Sequence, residues 1–103
     1  MTLDDRVLIG ELMSEYGALL TDKQREVLTL YCGMDFSLQE VADEYGISRQ
    51  AVRDLIVRAA DQLEGYEAKL GALRLRRTLL SVLTDESKAE PLRITQAVRL
   101  LED

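Results

Sequence analysis

Arg49, Gln50, Arg53 and Arg58 stand in one short run, SRQAVRDLIVR, which spaces guanidinium forks and a carboxamide at intervals of roughly a helical turn. Groups of this kind reach base edges or neutralise phosphates when a helix presents them. Covalent chemistry finds little support elsewhere. The chain has no histidine, one cysteine (Cys32), no Gly-rich phosphate loop and no paired carboxylates in a plausible pocket. Tyr66 and Lys69 fall three residues apart, a pair common on solvated helix surfaces. A zinc site would lack ligands, and Cys32 reads as a small hydrophobe beside Leu28 and Tyr31. The expectation is therefore a non-enzymatic chain with no metal, cofactor or small-molecule substrate.

The elements that must position those side chains are legible around them. In SLQEVADEYGISRQAVRDLIV, Leu38, Val41, Ala42 and Tyr45 recur at i, i+3, i+4 and i+7, one face of a helix. Ser37 with Glu40 makes a capping box, Gly46 suits a left-handed helix end, and Ser48 is a good N-cap for the next helix. On that second helix Val52, Leu55 and Ile56 point inward. Arg49, Gln50, Arg53, Asp54 and Val57 are left outward at its start. Small Ala42 lets the two axes cross closely. This is a helix-turn-helix pattern, whose second helix enters the major groove.

Upstream, Leu8, Leu12, Tyr16 and Leu19 share a helical face that Ile9 and Met13 widen, with Gly17 at its end. Thr21 and Gln24 form a second capping box, Val27, Leu28 and Tyr31 supply the buried face of the next helix, and Gly33 stops it. Downstream, apolar positions run on through Val52, Ile56, Ala59, Leu63, Tyr66, Leu70, Leu73 and Leu80, a heptad seam. Gly65 and Gly71 each weaken a helix by ~1 kcal/mol relative to Ala, so a kink or break could fall at either. Thr84 to Ser87 reads as a turn. Pro91, Leu92, Ile94, Val98 and Leu101 give a short closing helix. A core domain over 1–64 and a helical extension over 65–103 follow from this. A small domain cannot cover so long a seam, so Ile56, Leu63, Tyr66, Leu70, Leu73 and Leu80 are expected to pair with a second copy in a homodimer.

Charge is polarised along the chain. The net charge is −6, but residues 47–83 carry seven Arg/Lys against four Asp/Glu, while residues 1–46 carry ten acids against three bases. The basic groups fall in two clusters: Arg49, Arg53 and Arg58 in front, and Lys69, Arg74, Arg76 and Arg77 behind. The rear run, free of acids from Ala68 to Thr84, is either a solvated helix face or a contact surface for RNA or an acidic protein. Asp4 and Asp5 stand where a signal peptide needs positive charge, and no apolar run approaches a membrane span, so a cytoplasmic chain without membrane contact is expected.

LLTDKQREVLTLY, followed by SLQEVADEYGISRQAVRD and QLEGYEAKLG, resembles the YlxM family of small bacterial helix-turn-helix proteins over about Met13 to Gly71. More distantly, QREVL with VADEYGISRQAV is similar to the fourth region of bacterial sigma factors, which grips promoter DNA. The resemblance implies an all-α fold: a sigma region-four-like three-helix core, a long extended recognition helix and a short C-terminal helix. By position Ser48, Arg49, Gln50 and Arg53 match the start of the family's recognition helix, and Val57 and Arg58 continue its outward side. Family members are typically encoded beside the genes for the signal recognition particle protein and its receptor, which implies a role in that pathway, directly or through expression. Two functions stay open: a DNA- or RNA-binding regulator, and an adaptor for the RNA or protein of the signal recognition particle.

Overall fold

The computed structural model describes residues 5–102, and among these it holds six α-helices and no strand. Asp4 lies outside the described residues. The chain divides into two compact units, residues 1–70 and residues 71–103.

In the first unit α1 spans Arg6–Tyr16, α2 Asp22–Leu28, α3 Leu38–Tyr45 and α4 Arg49–Leu70. α1, α2 and α3 each pack on α4. Their shared core includes Ile9, Leu12, Val27, Leu28, Val41, Val52, Ile56 and Leu63, and no polar side chain is buried among the described residues. Both expected capping boxes form: Thr21 accepts from the Gln24 backbone N–H at 3.2 Å and Ser37 from that of Glu40 at 3.0 Å. In return the Gln24 and Glu40 side chains accept from the backbone N–H groups of Thr21 and Ser37. Each box satisfies two donors that a helix start leaves open.

Two expectations in this unit need correction. Leu19 points to solvent and Leu20 is buried in its place. From Gly17 the chain tightens into a 3₁₀ turn through Leu19, and three residues per turn shift the phase set by α1. The helix begun by α2 also does not run uniformly to Gly33. Thr29–Gly33 widens to a π turn, closed by the Met34 N–H on the Thr29 carbonyl at 3.0 Å. At its edge Arg6 stacks over the Tyr31 ring at 4.0 Å and pairs with Asp35, tying the start of α1 to the chain after α2.

α4 is 22 residues long, and its rear half is held from the side. The Tyr16 hydroxyl donates to the Glu67 carboxylate at 2.6 Å, the Tyr16 and Tyr66 rings lie 6.1 Å apart, and Gln24 donates to Gln62 at 2.9 Å. These anchors carry the helix through Gly65 without interruption. Beyond them Ala68, Lys69 and Leu70 are exposed, and the helix ends at the next glycine, Gly71, which is left-handed at φ 64°. The heptad seam is thus not one continuous helix. Ile56 and Leu63 are wholly buried, so these two offer no side chain to a second copy, whereas Tyr66 is half-buried with its ring beside that of Tyr16.

The second unit is a helical hairpin. α5 covers Ala72–Leu83, a turn follows, and α6 covers Glu90–Glu102 and packs on α5. Ser87 closes the turn on Asp85, whose carboxyl those two hydrogen bonds hold below the usual range. The Arg93 guanidinium donates to the Leu83 carbonyl at 2.9 Å, capping the end of α5. Little is buried here: Leu73 and Ala97 are the buried side chains, whereas Leu80 is exposed.

Candidate nucleic-acid interface

The turn between α3 and α4 decides what α4 presents. Gly46 adopts φ 64°, ψ 35°, and the Ile47 N–H returns to the Ala42 carbonyl at 3.1 Å, the long-range bond of a Schellman stop. Ser48 then accepts from the Ala51 backbone N–H at 3.0 Å and caps α4. Its hydroxyl is used in the fold and still lies at the surface. The burial pattern of Val52, Ile56, Ala59 and Ala60 turns the opposite side of α4 outward. Arg49, Gln50, Arg53, Asp54, Val57 and Arg58 are all exposed there, as the motif requires.

The Gln50 amide donates to the Asp54 carboxylate at 2.8 Å. An acid among arginines would repel phosphate, but here it fixes the orientation of Gln50. One amide hydrogen is engaged, leaving the other and the carbonyl oxygen for an outside partner.

One residue escaped the sequence reading. Lys23 lines a cleft of about 460 Å3 together with Thr21, Gln24, Asp54 and Arg58. The fold brings the first turn of α2 beside the recognition helix, and no local pattern around Lys23 announces that neighbour. A larger cleft of about 610 Å3 is lined by Asp22, Arg25, Glu26, Glu44 and Tyr45, with no residue of α4. Burial, then the hydrogen bond to Glu26, push the Tyr45 phenol up. Its acidic rim disfavours a polyanion.

The rear basic residues are not gathered on one helix. Lys69 lies in the last turn of α4 in the first unit, whereas Arg74, Arg76 and Arg77 lie on α5 in the second, all exposed. Cys32 is half-buried rather than buried, beside a cavity of about 260 Å3, and desolvation pushes its thiol up despite nearby Arg6. That suppresses thiolate at neutral pH. Among the described residues, no group of three or more His, Cys, Asp or Glu could hold a metal ion, and no helix is long and apolar enough to cross a membrane.

Residues 3–99 match the family model UPF0122, described as "Putative helix-turn-helix protein, YlxM / p13 like". The chain belongs to the UPF0122 family. A UPF0122 protein of Latilactobacillus sakei is 56% identical over 70 residues, covering 68% of this chain and 62% of that protein. One from Clostridium botulinum is 50% identical over 72 residues, covering 70% and 66%. One from Shouchella clausii is 45% identical over 87 residues, covering 84% and 80%. The first two alignments span a little under two thirds of those relatives' lengths. The UPF0122 family is described by its helix-turn-helix and by no enzymatic reaction.

Proposed function

We propose that this UPF0122 protein is a cytoplasmic, non-enzymatic regulator that binds duplex DNA through the first turns of α4. One observation carries the reading: Arg49, Gln50, Arg53 and Val57 are exposed together at the start of a capped helix whose other side is buried. Arg49 and Arg53 suit guanine edges, Gln50 held by Asp54 suits adenine, and Val57 suits a thymine methyl. Lys23 and Arg58 flank the same cleft and suit the phosphates beside the groove. The resemblance to the YlxM family supplies the context, regulation of the signal recognition particle pathway.

The net charge of −6 makes non-specific binding weak, and its salt dependence follows the number of phosphates that the basic side chains neutralise. Binding is expected to show as retardation of pooled genomic fragments at 50 mM salt, weakening by 200 mM as the phosphate contacts are screened. No retardation at 50 mM would defeat the DNA reading in favour of the adaptor. The exposed Arg74, Arg76 and Arg77 of α5 favour that second reading, because an RNA or acidic protein would be met there without α4.

A further inference from the structure

The cleft of about 610 Å3 between α2 and the end of α3 disfavours a polyanion, and its lining defines what it admits instead. Asp22, Arg25, Glu26 and Thr29 fall at i, i+3, i+4 and i+7, one face of α2, and Leu30 extends that side into the π turn. Glu44 and Tyr45, in the last turn of α3, line it too, and the Tyr45 hydroxyl donates to Glu26 at 3.0 Å. Leu30 and Tyr45 are only half-buried, so apolar surface stays open between charged neighbours. Asp22 is already paired with Arg25. Glu26 and Glu44 have no ion pair among the described residues. Burial raises the Tyr45 phenol most, and the Glu26 hydrogen bond and then the charges of Glu26 and Glu44 add to it. Both carboxylates therefore lie near that ring.

We propose that this cleft docks an arginine-bearing segment of a partner protein, with one guanidinium over the Tyr45 ring between Glu26 and Glu44 and an apolar side chain on Leu30. The lining selects this occupant by charge. Two carboxylates without a cation, beside an aromatic face, suit a planar and weakly hydrated cation, which favours arginine over lysine. The carbonyl end of α3 adds partial negative charge on the same side. Residues 1–46 carry ten acids against three bases, so the wider field also draws a basic partner. Length selects a polypeptide over a small cation. Asp22 to Thr29 covers about two helical turns, ~10 Å along the axis. α4 contributes no side chain to this cleft, so the inference does not depend on whether α4 binds DNA.

Amide NMR on the isotopically labelled full chain tests it, with a blocked hexapeptide of alternating leucine and arginine as the probe. Shifts are expected at Glu26, Leu30, Glu44 and Tyr45, and none for a peptide with glutamine in place of arginine. Glu26→Gln with Glu44→Gln should raise the arginine peptide's Kd about tenfold. Glutamine still offers Tyr45 an acceptor, so this variant keeps the fold and loses only the charge. Tyr45→Leu should raise the Kd about threefold by removing the ring face. Absence of shifts at ~1 mM peptide would overturn the inference. So would equal binding of the glutamine peptide, or an unchanged Kd in the double variant. Movement of α5 resonances in that variant without peptide would also overturn it, because the chain's own arginines would then fill the cleft.

Discussion

The front of α4 and the whole of α6 are both amphipathic helices, yet they meet opposite fates. α4 buries Val52, Ile56, Ala59 and Leu63 completely, because three other helices of its unit converge on it. α6 packs on α5, and its Ile94, Val98 and Leu101 are exposed. Periodicity thus reports which residues share a face; the number of neighbours decides whether that face becomes core or contact surface. The consequence is a first unit whose packing fixes which side of α4 turns outward.

Single truncations separate the two regions most sharply. Leu63→Ala removes a fully buried side chain and should cost ~2–5 kcal/mol in urea unfolding. Leu101→Ala should cost less than ~0.5 kcal/mol at protein concentrations too low for association. Equal losses would mean that the second unit has a core of its own.

The two left-handed glycines give the next contrast. Gly46 and Gly71 share φ 64°, where a side chain costs ~1–2 kcal/mol. Gly46→Ala should show that full loss, since the first unit cannot abandon its turn. Gly71→Ala should lose less, because α4 can run on into α5, and its new Cβ meets only the movable end of Arg74 at 3.0 Å. Thermal unfolding of the pair checks this, and a larger loss at Gly71 would make that break a rigid feature of the fold. The caps should show a modest effect in the first unit: Ser37→Ala should cost ~1 kcal/mol, as should Thr21→Ala.

Most of the first unit was legible in its sequence. Ser37, Glu40, Gly46 and Ser48 act through bonds a few residues long, so local spacing suffices to place them. The same holds for the outward residues of α4, because Val52 and Ile56 fix the phase of that helix. What escaped was set at longer range. The Tyr16–Glu67 bond joins residues far apart in the chain, and such contacts let Gly65 stay helical while Gly71 ends α4. Lys23 escaped for the same reason, as did the engagement of Tyr66.

The reading of α4 as a DNA-recognition helix is tested most directly by base preference measured variant by variant. A selected duplex is titrated with the unmodified chain, Arg49→Ala and Arg58→Ala, against every single-base change and at several salt concentrations. Arg49→Ala is expected to relax preference at one base position, by ~1–3 kcal/mol. Arg58→Ala is expected to weaken all duplexes alike and to lower the salt slope by about one. If both variants weaken every duplex equally, with preference unchanged at each position, α4 holds the backbone without reading the bases and the account of its exposed face is wrong.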